Sequence, residues 1–542
     1  VAPSIARTAQ ELRIAPQQLD WAAYEQLAAT TYPWQLPFEY GAELARAALR
    51  ELGASRAALL ELVRPRTDAA GALDAHALAE ACEYFQIPDA ERVLYTGTPA
   101  HDQVFGTGAG DLSFIGAFLR RTGATLSELQ AAVSAAFDGR LALTYGESCE
   151  VDKARIEARG GTDLDAALVE LGALMRLARR TGLTSGDLQA ALALAALTGA
   201  SRLTVPWRLA VLRDRLDLTI ATLVSASKGD LHGVAALDAA LRLPASEARV
   251  LRSLGGEVAS LDGVERFVTQ VGALRSARLA PTEAAWALGL DGGRSPGMSS
   301  QAIAAHLHAL VAEWATIKQQ FPDSVTAQQA RFDDAIKQTL ARAVRLDRSL
   351  VDAFLGPSGG AAALGEVVSE SLKLLLADHD VEPGQAPAAF AAVRQVDRYA
   401  FLVHRLGLTD AEARAIAAAG DAWLQRDDLA DRVDGIGAPE AFDRLLAVIE
   451  CARVRRTLRG EVELVPYVVG AAPLDLSALA VALGWTTADG KQPSHAVNAV
   501  QQRLWGTAAV ASQAVARVAS VDATMQRLRA LAGSLGGASP DP

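Results

Sequence analysis

A short pattern returns along this chain and dictates how it is built. An arginine or leucine precedes a glycine; an apolar residue, a threonine or serine, two spacers and an acid follow, and then a run of Ala and Leu. One copy reads Arg121-Thr122-Gly123-Ala124-Thr125-Leu126-Ser127-Glu128 and a second Arg180-Thr181-Gly182-Leu183-Thr184-Ser185-Gly186-Asp187. A looser third copy is Arg405-Leu406-Gly407-Leu408-Thr409-Asp410-Ala411-Glu412. Leu52-Gly53-Ala54-Ser55 opens in the same way but lacks the acid.

Each part has a mechanical job at a joint between two helices. Glycine ends a helix because it enters the left-handed region without a Cβ clash. The apolar residue behind it folds back on the last turn. Thr125, Thr184 and Thr409 are expected to N-cap the next helix. Glu128 and Glu412 complete capping boxes, and with Asp187 they favour the positive helix N-terminus. The expected fold class is therefore mostly all-α: an irregular, shell-like array of short helices joined by tight Gly/Thr turns. These residues carry structure and no chemistry.

Half of the 542 residues are hydrophobic, so a core is easily filled, and aromatics contribute only 5%. The apolar content is mostly Ala, Leu and Val, which suits close-packed helices. A formal net charge of -11 argues against a general nucleic-acid binder. The arginine run at 453–459 (Arg-Val-Arg-Arg-Thr-Leu-Arg) reads as a solvated helix face. Cys82, Cys149 and Cys451 are too widely spaced for a disulfide framework or a zinc pattern and read as small buried apolar residues. No stretch of apolar residues reaches the length of a membrane span, and no signal peptide is visible. The chain begins at Val1 rather than Met, and the expectation is one piece of a longer protein.

The pattern organises the chain as an α-helical region at 1–290, a linker at 291–300 (Asp-Gly-Gly-Arg-Ser-Pro-Gly-Met-Ser-Ser), a second α-helical region at 301–535 and a disordered tail at 536–542. Helices are expected at 42–52, 75–85 and 89–95, then from 112 to 137 and from 164 onward, with a polar, extended piece at 141–153. The run 461–469 is β-branched and is the best strand candidate, weakened by Pro466. Early in the chain Tyr32-Pro33-Trp34-Gln35-Leu36-Pro37-Phe38 sets aromatics between two prolines. It reads as an extended strap whose Trp34, Leu36 and Phe38 should be buried against neighbouring helices.

No catalytic, cofactor or metal residues are assigned. Gly106-Thr107-Gly108-Ala109-Gly110 has helical flanks and a misplaced third glycine, so it reads as a loop, not a dinucleotide site. Gly356-Pro357-Ser358-Gly359-Gly360 matches a nucleophile elbow by letter, but the residues before it read helical where a strand is required. His306 and His308 lie on different helix faces and do not chelate. Asp378-His379-Asp380 reads as a solvated helix terminus, and His404 as a cation at a helix end. Asp333-Asp334 and Asp427-Asp428 are sequence neighbours rather than facing carboxylates. The expectation is that the chain is not an enzyme.

Three passages resemble the A subunit of bacterial toxin-complex (Tc) insecticidal toxins, in its large α-helical shell. The first is the strap from Tyr32 to Phe38 with the arginine-bearing segment 43–53 (Glu-Leu-Ala-Arg-Ala-Ala-Leu-Arg-Glu-Leu-Gly) and 55–62. The second is Phe118-Leu119-Arg120-Arg121-Thr122-Gly123 through Ala132, then Cys149. The third is Leu174-Met175-Arg176-Leu177-Ala178-Arg179-Arg180-Thr181-Gly182 to Leu192. The resemblance covers residues 30–225; beyond them only the helix-Gly-helix texture continues.

The resemblance implies a shell fragment or shortened relative, since A subunits of that family are far longer and carry a channel, a linker and a region for component B that are not recognised here. It implies secretion, self-association as a ring of five, and toxin components B and C as partners of the full-length protein. Membrane contact would come only through the missing channel region. An alternative is a free-standing helical scaffold binding a protein partner. An enzyme with a site assembled across the fold would need a pocket with perturbed ionisable groups.

Overall fold

The computed structural model describes residues 20–51, 55–57, 60, 72–145, 150–194, 199–290, 296–355, 364–375, 380–419 and 438–457. Outside them lie the strand candidate at 461–469, the tail at 536–542, Leu52-Gly53-Ala54, Cys149, Ser358, Asp378-His379 and Asp427-Asp428. The fold is all-α apart from one short hairpin among the described residues.

Two compact units divide after Val224. The first contains helices α1 (Trp21–Ala29), α2 (Tyr40–Glu51), α3 (Ala72–Tyr84), α4 (Asp89–Thr96), α5 (His101–Phe105), α6 (Ile115–Thr122) and α7 (Leu126–Ala136). Strands β1 (Leu141–Thr144) and β2 (Arg155–Ala158) follow, then α8 (Leu164–Thr181), α9 (Ser185–Leu192) and α10 (Ser201–Leu216). The strands pair antiparallel from Leu141 opposite Ala158 to Thr144 opposite Arg155, so residues 141–144 of the piece expected as extended form one arm of a hairpin, while 151–153 form a turn. Helix α11 (Ile220–Ser227) spans the division.

The joints form as the sequence requires. Gly123, Gly182 and Gly407 adopt φ of 62°, 65° and 61° at helix C-termini. Thr125 and Thr184 accept from the backbone N–H of Glu128 and Asp187 at 3.2 and 3.1 Å. Thr409 accepts from Glu412 N–H at 3.2 Å. Glu128 and Glu412 reach back to the N–H of Thr125 and Thr409 at 2.7 and 3.0 Å, closing both capping boxes. Ala124, Leu183 and Leu408 are buried behind their glycines.

The device is more widespread than the glycines suggest. Gln86, Asp217, Arg242, Arg278 and Arg345 also take positive φ, between 48° and 57°. Each is followed by an Ile or Leu and then by Pro, Thr, Ala or Asp: Ile87-Pro88, Leu218-Thr219, Leu243-Pro244, Leu279-Ala280 and Leu346-Asp347. The apolar residue and the start of the next helix are thus the constant features. A side chain in the left-handed position costs about 1–2 kcal/mol, which burial of a residue such as Ile87 or Leu279 offsets.

The second unit continues with α12 (Leu231–Ala240), α13 (Ala245–Gly255), α14 (Leu261–Ser276) and α15 (Pro281–Ala287). Then come α16 (Ser300–Gln320), α17 (Val325–Val344), α18 (Arg348–Leu355), α19 (Leu364–Lys373), α20 (Pro387–Leu406), α21 (Asp410–Ala419) and α22 (Ala438–Thr457). Buried Leu310, Phe332, Val351 and Val396 mark its core. Trp314 packs on Phe332 and Phe354 stacks on Tyr399, each pair with ring centres 4.8 Å apart.

Of the stretch 291–300, expected as a linker between two regions, residues 296–300 are described and belong to this second unit. Its described end is fastened to α20, where Met298 N–H donates to Asp397 Oδ2 at 2.6 Å. Helices α15 and α16 on either side both pack on α20. Pro296, Gly297 and Ser299 lie outside regular helix, yet the backbone there still packs on a neighbour.

Candidate functional site, a strap pinned by arginines

Between α1 and α2 the chain runs without helix, as its prolines require. Trp34 is buried, and its Nε1–H donates to the Val104 carbonyl at 2.8 Å. Thr31 Oγ1 donates to the Gln103 carbonyl at 2.8 Å, and Tyr32 Oη to that of Arg121 at 3.2 Å. Leu36 is half-buried. Phe38, expected in the core, is 39% exposed. Its N–H donates to the Leu27 carbonyl at 3.1 Å, which turns it toward α1. There its ring joins Tyr24 and Tyr40 at the surface instead of entering the core.

The strap is held from below by α8. Arg176, only 1% exposed, donates from Nη1 to the Thr31 carbonyl and from Nη2 to that of Leu36. Its Nε–H donates to Glu91 Oε1 at 2.7 Å. One turn later Arg180 Nη2 lies 2.9 Å from Glu91 Oε2. Tyr95, one turn after Glu91 on α4, donates its hydroxyl to Glu91 Oε1 at 2.6 Å. Burial and then the Glu91 charge push the Tyr95 phenol well above its ordinary range. A buried carboxylate is tolerated when cations and donors surround it, and here they do so while fixing two strap carbonyls.

The next arginines of the same helix and of α6 extend the clamp. Arg179 donates to the carbonyls of Thr122 and Gly123 at 3.0 and 2.8 Å and to Glu128 Oε2 at 3.0 Å. Its guanidinium lies over the Trp34 ring, 5.3 Å from the centroid. Arg121 lies over the Tyr32 ring at 4.3 Å and donates to the carbonyls of Phe105 and Thr107. Carbonyls at a helix C-terminus lack intrahelical partners, and Arg179 supplies them. The Thr125 N–H and then Arg179 hold the Glu128 carboxyl below its ordinary range.

The same arrangement recurs in the second unit. Arg455 of α22 donates to the Gly407 carbonyl and lies 3.2 Å from buried Glu412. The expectation of a solvated face for the run containing it holds for Arg453, which pairs with Glu450 on its own helix, and not for Arg455. In the first passage Arg46 bridges Glu43 and Glu83, tying α2 to α3.

The other residues considered for chemistry are dispersed. His306 and His308 are half-buried on α16, and His404 Nε2 meets the last carbonyl of α17, Val344, at 3.0 Å. Asp333 accepts from Gln329, and Asp334 pairs with Arg348. Among the described residues no group of His, Cys, Asp and Glu could hold a metal ion. Burial pushes the Cys82 thiol up to about 12, and Cys451 is half-buried. Glu91 went unnoticed in the sequence because an acid in the first turn of a helix normally reads as a dipole partner. Nothing local distinguishes it from Asp89.

Described parts of all three passages that carry the sequence resemblance thus meet at one strap, through Arg121, Arg176 and Arg179. No family model matches the chain, and no curated protein matches it. Among solved structures it is similar to the cryo-EM structure of Morganella morganii TcdA4, at 11% identity and a TM-score of 0.47. That alignment covers 98% of this chain and 32% of the other, so the chain spans about a third of its length.

Proposed function

We propose that this chain is a structural shell segment of a pore-forming, insecticidal-type toxin A subunit. It acts through surfaces in assembly, in attachment to the host surface and in shielding a translocation channel, and it performs no catalysis. The observation that carries the reading is the convergence of the three Tc-like passages: Arg176 and Arg179 of the third hold the strap of the first and the glycine joint of the second. Their side chains fix backbone carbonyls, which suits a wall that must keep its shape. The resemblance adds secretion, a ring of five subunits and toxin components B and C as partners of the intact protein.

Mass photometry and liposome leakage on the intact protein and on this chain test the proposal. The intact protein should form a ring of five and release liposome contents, and this chain alone should do neither. An intact protein that stays monomeric and leaves liposomes sealed across acid and alkaline pH would support the free-standing scaffold instead.

A further inference from the structure

A cleft in the first unit touches the strap clamp only through Tyr95. It measures about 290 Å3 and lies among α4, α7, α8, α9 and the start of α10. Its floor is apolar, with Leu94, Phe137 and Leu177 buried, and Leu174 continues the wall. The volume is near the lower limit of small-molecule clefts, about 300 Å3, which suits a short chain or a single ring.

The polar groups at its wall are unequal. The Tyr95 hydroxyl is engaged by Glu91. Glu170 is paired with Arg140 at 2.8 Å, which offsets its charge. Gln189 is exposed and neutral. Arg202, half-buried near the start of α10, has no hydrogen bond or ion pair for its guanidinium among the described residues. An arginine partly removed from water beside an apolar floor lacks only an anion, and the planar guanidinium matches a carboxylate in shape and charge.

We propose that this cleft binds a small amphipathic carboxylate. The carboxylate sits on Arg202 and the apolar body lies against Leu94, Phe137, Leu174 and Leu177. Titration calorimetry of the full chain with octanoate, 1-octanol and acetate tests it. Octanoate should bind saturably, octanol about tenfold or more weakly because it lacks the charge-assisted bond, and acetate not at all. Arg202→Gln should bring octanoate down to the octanol level at an unchanged unfolding midpoint. Leu174→Trp, which fills the cleft, should remove both. Failure of octanoate to saturate, equal affinities for octanoate and octanol, or octanoate binding unaltered in Arg202→Gln would each overturn the proposal. None of these readouts depends on assembly or on membrane leakage.

Discussion

At the scale of single residues, the clamp makes Glu91 the most consequential side chain described. Removing it leaves Arg176 buried without its anion, and breaking a buried pair costs about 3–5 kcal/mol. Urea unfolding of Glu91→Ala should show a loss of that size; a loss below about 1 kcal/mol would mean that the strap carbonyls alone satisfy Arg176. The capping residues act more modestly. Thr125→Ala and Thr184→Ala should each cost about 1 kcal/mol in the same assay. Two carboxyls give pH dependence of opposite sign. Glu128 is held low, so its stabilisation is present above the ordinary carboxylate range and is lost as pH falls through its lowered value. Glu128→Gln should therefore flatten the acid limb of the stability profile. Asp397 is pushed up by burial, against the Met298 N–H and Arg394, so its charge opposes folding above its raised value and this opposition fades in acid. Asp397→Asn, which keeps an acceptor for Met298, should be the more stable form at pH 7, with the difference closing as pH falls. Wild type being the more stable at pH 7 would show that the nearby arginines outweigh burial.

At the scale of elements, two glycines separate backbone strain from packing. Gly182 ends α8 at φ 65° with open space where a Cβ would point, so Gly182→Ala acts through the backbone alone and should cost about 1–2 kcal/mol. Gly172 lies mid-helix, but an added Cβ would stand 2.6 Å from the buried Phe105 ring, because α8 crosses α5 closely there. Gly172→Ala should cost about 1–3 kcal/mol by overpacking. Gly172→Ala/Phe105→Leu should recover part of that loss if the ring is the obstacle; no recovery in thermal unfolding would place the strain elsewhere. The arginines give two joints a fastening that their caps do not supply. Arg179 and Arg455 bind a glycine carbonyl and the capping glutamate together, fastening the end of one helix and the start of the next to a third.

At the scale of the whole molecule, the described residues contain no helix long and apolar enough to cross a membrane, and oligomer mass is the most direct readout of the proposed role. The helical class and the three glycine joints were legible in the sequence because both arise from local physics: φ freedom at glycine, a hydroxyl cap, and an acid three residues on. The burial of Trp34 was legible for a related reason, since a strap with two prolines has no helix of its own to shelter an indole. Local order did not reveal the five joints whose left-handed residue carries a side chain, because packing of the following Ile or Leu, buried at Ile87 and Leu279 and half-buried at Leu218, Leu243 and Leu346, and not the joint residue itself, offsets their backbone cost. Nor did it reveal Glu91 as the anion beneath the strap, Arg455 as an inward clamp, Phe38 turned to the surface, or the packing of α15 and α16 on α20 on either side of an expected linker. Each of these depends on partners distant in sequence. The sequence by itself decided where helices end and begin; the tertiary structure decided which charges are buried together, because a carboxylate's environment is set by what packs around it and not by its neighbours along the chain.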